Sequence, residues 1–122
     1  MRIAFFFEVF YPTINGVVTS TVNLATNLQK RGHQVLFCAP KSRGFVDRQV
    51  HGIETYYLES VPFFAYPGMH VTLPWSYRAV GKIRRDAIDV LHFTGPFTLG
   101  INAINAAHRL DLPVVQTFHT MI

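Results

Sequence analysis

The chain has 122 residues, 49% of them hydrophobic and 15% charged, whereas an average globular domain is about 25% charged. That is enough for one domain with one core, and it leaves two readings of the apolar excess: unusually deep burial, or surface meant for another domain, a partner or a membrane. The formal net charge of +4 is mild, so with no accompanying recognition motif it argues against a nucleic-acid partner.

Ile3–Phe7 is a short continuous apolar run, as in a parallel strand covered on both faces. Glu8 cuts it, and no small-residue cleavage site follows, so it reads as a strand and not as a signal peptide. Val17, Val18, Thr21, Val22, Leu24, Ala25 and Leu28 then recur at helical spacing. Asn15 or Gly16 can cap the start of that helix, and Gly32 stops it. Val35–Ala39 is a second strand, holding the lone cysteine, Cys38. A single cysteine excludes an internal disulfide, and one in an apolar run reads as an inert core residue in a reducing compartment.

Residues 41–52 are polar and read as loop; Ile53–Leu58 is a third strand. Val61–Pro74 is a loop rich in proline and aromatic residues. The next helix spans Trp75 to Arg85, with Arg78, Lys82 and Arg85 within about 60° of one another on the helical wheel. Ala79, Val80, Ile83 and Ala87 face the other way. Such a helix is either an ordinary surface helix or one that lies on an anionic membrane, with Phe63, Phe64, Tyr66 and Trp75 at the interface. No run approaches the ~18 apolar residues of a membrane span. A cytoplasmic protein, or one peripheral on the inner face of the membrane, is expected.

Asp89–Phe93 is a fourth strand, Phe97–Leu110 a third helix and Pro113–Phe118 a fifth strand. Strands alternating with helices predict an α/β doubly wound parallel sheet, Rossmann-like, in strand order 3-2-1-4-5. Ligands of such sheets bind beyond the carboxyl ends of strands 1 and 4, where the winding reverses. Glu8–Gly16, Thr94–Phe97 and His119–Thr120 should therefore converge.

Gly16 opens a helix and allows a ligand close to backbone N–H groups. GxGxxG and GxxxxGK[ST] are both absent, which disfavours a dinucleotide and a P-loop nucleotide. Glu8, at the end of strand 1, reads either as an acceptor for a substrate hydroxyl or as a solvated loop carboxylate. His119 stands at the ligand edge, where it can bond a sugar hydroxyl or a phosphate. His92, inside strand 4, reads as a satisfied core histidine. The six histidines have no metal-like spacing, and a GxSxG nucleophile elbow is missing.

These segments taken together resemble a known family. They include Met1-Arg-Ile-Ala-Phe-Phe6, Tyr11-Pro-Thr-Ile-Asn-Gly-Val-Val-Thr-Ser20 and Arg31-Gly-His-Gln-Val35. Asp89-Val-Leu-His92, Gly95-Pro-Phe-Thr-Leu-Gly100 and Pro113-Val-Val-Gln-Thr-Phe-His-Thr120 complete the pattern. It resembles the N-terminal domain of family 4 retaining glycosyltransferases of GT-B fold, and within them the bacterial glycolipid synthases that glycosylate diacylglycerol or phosphatidylinositol.

The resemblance implies a hexosyltransferase that moves a sugar from a nucleotide-diphosphate sugar to a lipid or sugar hydroxyl, without a metal or other cofactor. It implies that Gly16 approaches the donor diphosphate through its backbone N–H. It implies that His119 contacts the donor sugar as the catalytic residue, with Thr120 on the substrate beside it, and that Glu8 and Asn15 shape the acceptor side. Two departures stand out. Asp111 occupies a turn where the family often has glycine, and the chain stops at Ile122 whereas the resembling enzymes continue into a donor-binding domain. The expected unit is thus residues 1–122 as an acceptor-side domain, inactive without a donor-binding partner. The alternative is a non-catalytic α/β binding or interaction module.

Overall fold

The computed structural model of the chain describes residues 1–8, 10, 16–41, 47–62, 70–73, 75–95 and 98–117. Five strands carry the central sheet: β1 (Arg2–Phe6), β2 (Gln34–Pro40), β4 (Ile53–Leu58), β7 (Val90–Phe93) and β8 (Val114–Gln116). Their order is β4-β2-β1-β7-β8, all parallel. This is the 3-2-1-4-5 arrangement expected from the alternation of strands and helices.

Three short strands were not expected. β3 (Gln49–Val50) pairs antiparallel with β4 at the sheet edge, inside what reads as loop from composition. The turn His51-Gly52 has φ of 52° and 76° at its two residues, as the tight two-residue hairpin turn requires. Gly52 between Val50 and Ile53 was the available signal. A second small ribbon, β5 (Val61–Pro62) with β6 (His70–Val71), crosses the aromatic loop.

Among the described residues three helices cover the sheet: α1 (Gly16–Lys30), α2 (Tyr77–Arg85) and α3 (Thr98–Leu110). α1 buries Val18, Thr21, Val22 and Ala25 on one face, against Ile3, Phe5, Phe7 and Phe37. α2 and α3 bury Ala79, Ile83, Leu99 and Ala103 on the other, against Ala4, Phe6, Leu36 and Leu91. Alternate residues of β1 thus feed the two cores, which is why its sequence is apolar throughout. Fully burying one such phenylalanine or leucine contributes about 1.5–3 kcal/mol. Cys38 is buried in this core, and burial pushes its thiol pKa well up, so it is an unreactive neutral thiol.

All three helices end alike. The second or third residue past the helix donates back across five residues: His33 to Leu28, Ile88 to Ile83 and Leu112 to Ala107. The intervening residue is left-handed in each case: Gly32 at φ 92°, Ala87 at 52° and Asp111 at 55°. This C-cap wants glycine, and only α1 has it. Asp111 therefore sits where the backbone favours glycine, and its departure from the family pattern is confined to this turn. Ala87 is exposed, so Ala87→Gly removes no packing. Relief of left-handed strain should outweigh the added unfolded-state entropy by about 0.5–1 kcal/mol. Thermal melts should show a rise of a few degrees; an unchanged or lower midpoint contradicts the strain argument.

α2 starts at Tyr77 and not at Trp75, because the Ser76 hydroxyl caps it by accepting from Ala79 N–H at 3.1 Å. Its basic face is only partly free. Arg78 and Arg85 are exposed, but the Lys82 ammonium pairs with Glu54 at 2.6 Å and Asp86 at 3.1 Å, and its side chain is 18% exposed. The Glu54 bond is the main cause that holds the Lys82 pKa above its ordinary value, against some desolvation. The wheel put Lys82 on the correct side of the helix, yet β4 supplies a carboxylate there. Lys82 thus bridges α2 to the sheet and is not a free surface cation. Among the described residues no helix is long and apolar enough to cross a membrane.

Candidate active site

β1, β7 and the helices that follow them meet at one edge of the sheet, where the winding reverses. β1 leads through Phe7, whose N–H donates to the Cys38 carbonyl at 2.9 Å, to Glu8. The loop returns to the core at Phe10, which packs on Phe7 at 4.8 Å between ring centroids and on Phe37 at 5.8 Å. α1 then begins at Gly16. A Cβ placed on Gly16 meets no atom within 4 Å. The surrounding described protein thus leaves open the space that a side chain here would fill.

Glu8 is not a solvated loop carboxylate. It is buried at 8% exposure, and its two oxygens accept from the first turn of α3: Leu99 N–H to Oε1 at 3.0 Å and Gly100 N–H to Oε2 at 2.8 Å. Two charge-assisted bonds to a helix N-terminus satisfy both the carboxylate and the positive end of the dipole. The same side chain fixes the loop before α3, since a Cβ on Gly95 would lie 3.0 Å from Glu8 Cγ. Glu8 thereby fills one of the two helix N-termini at the switch point. The other, α1, has no acidic residue in its first turn.

The far side of the site is set by β7 and β8. His92 is buried, with its ring edge-on to Phe5 at 4.8 Å and its Nε2 bonded to Thr117 Oγ1. It is the core histidine expected. Thr117 N–H continues the ladder by donating to Phe93 at 3.1 Å, so β8 runs out at the same edge as Glu8. Asn15, His119 and Thr120 lie outside the described residues. Of the five residues picked from sequence, Glu8 and Gly16 are described, and both sit at this edge.

Sequence reasoning missed Asn102. It is 2% exposed inside α3, and its amide donates to Thr72 Oγ1 at 3.2 Å, Leu73 O at 2.5 Å and Thr98 O at 3.0 Å. Thr72 N–H in turn donates to Thr98 Oγ1 at 3.1 Å. The segment after β6 is thus tied to the first turn of α3, beside the Glu8 bonds. The available signal was a poor helix former at a position that the apolar spacing assigns to the buried face.

A groove of about 540 Å³ opens beside this tie, at the carboxyl end of β4, and is lined by Tyr56, Leu58, Val61, Leu73, Trp75 and Arg78 among others. A polar cleft of about 480 Å³ at the opposite edge is lined by Arg2, Gln34, Glu54 and Arg85. It faces the amino ends of the strands, away from the switch point.

Residues 14–122 match the model of Glycosyltransferase Family 4. The chain is 32% identical over 123 residues to the alpha-monoglucosyldiacylglycerol synthase of Streptococcus pneumoniae, covering 98% of this chain and 27% of that protein. It is 33% identical over 123 residues to the GDP-mannose-dependent alpha-mannosyltransferase of Mycolicibacterium smegmatis, covering 98% of this chain and 32% of that protein. The chain therefore spans about a third or less of these relatives. In fold it is similar to MurG of Acinetobacter baumannii, with a TM-score of 0.69 at 18% identity over 96% of this chain and 34% of that one. A family match over nearly the whole chain, on a doubly wound sheet of the GT-B type, identifies this protein as a member of Glycosyltransferase Family 4.

Proposed function

We propose that the chain is the acceptor-side domain of a retaining hexosyltransferase that transfers a sugar from a nucleotide-diphosphate sugar to a lipid or sugar hydroxyl. The observation that carries this reading is the glycine that opens α1 at the switch point. Glu8 occupies the N-terminus of α3, while at Gly16 an added Cβ would meet no described atom within 4 Å. An anion such as a diphosphate is then directed to α1, where the Gly16 N–H and the helix dipole favour negative charge. In this reading His119 contacts the donor sugar, Thr120 the substrate, and Asn15 helps shape the acceptor side. Glu8 serves by positioning the Gly95 loop and α3. The chemistry asks for no metal: held substrates and a stabilised departing diphosphate supply the rate.

The donor-binding domain is the partner that completes this cleft, and the chain alone is inactive. Lipid acceptors agree with the diacylglycerol in the name of the pneumococcal relative. A peripheral seat on the cytoplasmic face of an anionic membrane uses Arg78 and Arg85, without Lys82.

A chimera tests the reading: this chain replaces the matching 123 residues of the pneumococcal synthase. The isolated chain should release no nucleoside diphosphate from UDP-glucose or GDP-mannose, whereas the chimera should transfer. Gly16→Val should leave the melting curve unchanged, because its Cβ meets no described atom within 4 Å. It should lower kcat/KM on the order of 100-fold by obstructing the donor. A folded chimera that never transfers would point to a non-catalytic module; a fully active Gly16→Val would refute the diphosphate assignment.

A further inference from the structure

We infer that the groove at the carboxyl end of β4 is an acyl-chain site, which holds one chain of a lipid acceptor while its polar end points toward the switch-point cleft. This rests on the acceptor-side reading above and names the substrate class for it. Four observations converge on this occupant.

The first is the lining. Tyr56, Leu58, Val61, Val71, Leu73 and Trp75 form an apolar wall, with Leu58 buried at its base. At about 540 Å³ the groove has the volume of a small-molecule site and not of a packing defect. The second is the polarity of its rim. Glu59, Ser60, Thr72, Ser76 and Arg78 line the same groove. An apolar trough whose polar lining combines hydroxyls with one carboxylate and one guanidinium is complementary to an uncharged amphiphile with a hydrocarbon tail and a hydroxyl-bearing head.

The third is placement. β4 runs parallel to β1 two positions away in the sheet, so the groove opens at the same edge as Glu8, about 10 Å to the side. The fourth is the tie. Asn102 and Thr98 hold Thr72 and Leu73, one wall of the groove, against the first turn of α3, whose next residues bind Glu8. A ligand in the groove therefore shares a rigid wall with the reaction cleft.

Val61, Leu73 and Trp75 are 63%, 67% and 49% exposed, an unusual concentration of apolar surface that lipid would cover.

Trp75 is the only tryptophan of the chain, so its fluorescence reports this groove alone. The probe is dioctanoylglycerol, below the concentration at which it aggregates, and its counterpart brominated in the acyl chains. The brominated lipid should quench Trp75 saturably and the plain lipid should compete that quenching away. Leu73→Glu and Val61→Glu alter exposed positions, so the fold survives, and each should weaken binding at least ~10-fold. No saturable quenching, or quenching unchanged in both variants, overturns the site. Quenching that appears only with vesicles and fades with salt or in Arg78→Glu also overturns it, because that is adsorption to a surface. The two readings fail separately. Saturable binding with an inactive chimera keeps the groove and removes the transferase. Transfer to a soluble acceptor without acyl binding does the reverse.

Discussion

Gly100→Ala should cost the domain about 3 kcal/mol or more and lower its thermal midpoint by roughly 10 °C. A Cβ at this position would lie 2.1 Å from the Gly95 carbonyl oxygen and 2.9 Å from the Phe93 ring. The first contact is with backbone, so no rotamer change relieves it. Either the Gly95 turn or the whole first turn of α3 must move. The first turn of α3 carries the Glu8 bonds, so a shift there strains those as well. Helix propensity works the other way, since alanine is favoured over glycine by about 1 kcal/mol inside a helix. Steric cost wins because the overlap exceeds what small shifts absorb. A domain of this size has about 5–15 kcal/mol in all, so the loss is a large share. Chemical denaturation of the two proteins measures it directly. A Gly100→Ala variant as stable as the parent would mean that α3 does not approach the Gly95 turn as closely as described.

That close approach also explains what the sequence made legible and what it did not. The parallel sheet was readable because Ile3–Phe7 and Val35–Ala39 are apolar without alternation, as in strands covered on both faces, and because strands and helices alternate along the chain. Helix ends were readable wherever the cap was a local matter, as at Gly32. The site was less so. Glu8 lies 91 residues from Leu99, and nothing local distinguishes a carboxylate that faces solvent from one that caps a distant helix. Lys82 fails in the same way: the wheel gives its direction but not the Glu54 that waits there. Asn102 was visible as an oddity, a polar residue on an apolar face, but its partners Thr72 and Leu73 lie across the fold. The helix start at Asn15 or Gly16 was readable because that requirement is local, and α1 begins at Gly16. Long-range polar partners were the part that needed coordinates.

Glu8→Ala should destabilise the chain by about 3 kcal/mol, and Glu8→Gln by roughly half of that. In the alanine variant the Leu99 and Gly100 N–H groups lose both acceptors in a buried place, and the space beside Gly95 is emptied. Glutamine keeps one acceptor oxygen, but its amide turns a donor toward the second N–H and withdraws the charge that the helix dipole favours. Glu8→Asp retains the charge but is one methylene short of reaching both groups, so it should fall between the two. This order, with alanine worst and glutamine and aspartate intermediate, belongs to a positioning residue whose loss loosens the Gly95 loop and α3. In the chimera the same series should lower kcat together with stability, with KM for the acceptor little changed. The competing assignment, a carboxylate that itself receives an acceptor hydroxyl, makes the opposite forecast. The melts would then stay level across the series while the acceptor KM rises. Denaturation and steady-state kinetics on the same three variants separate the two, because the structure commits both oxygens of Glu8 to helix α3.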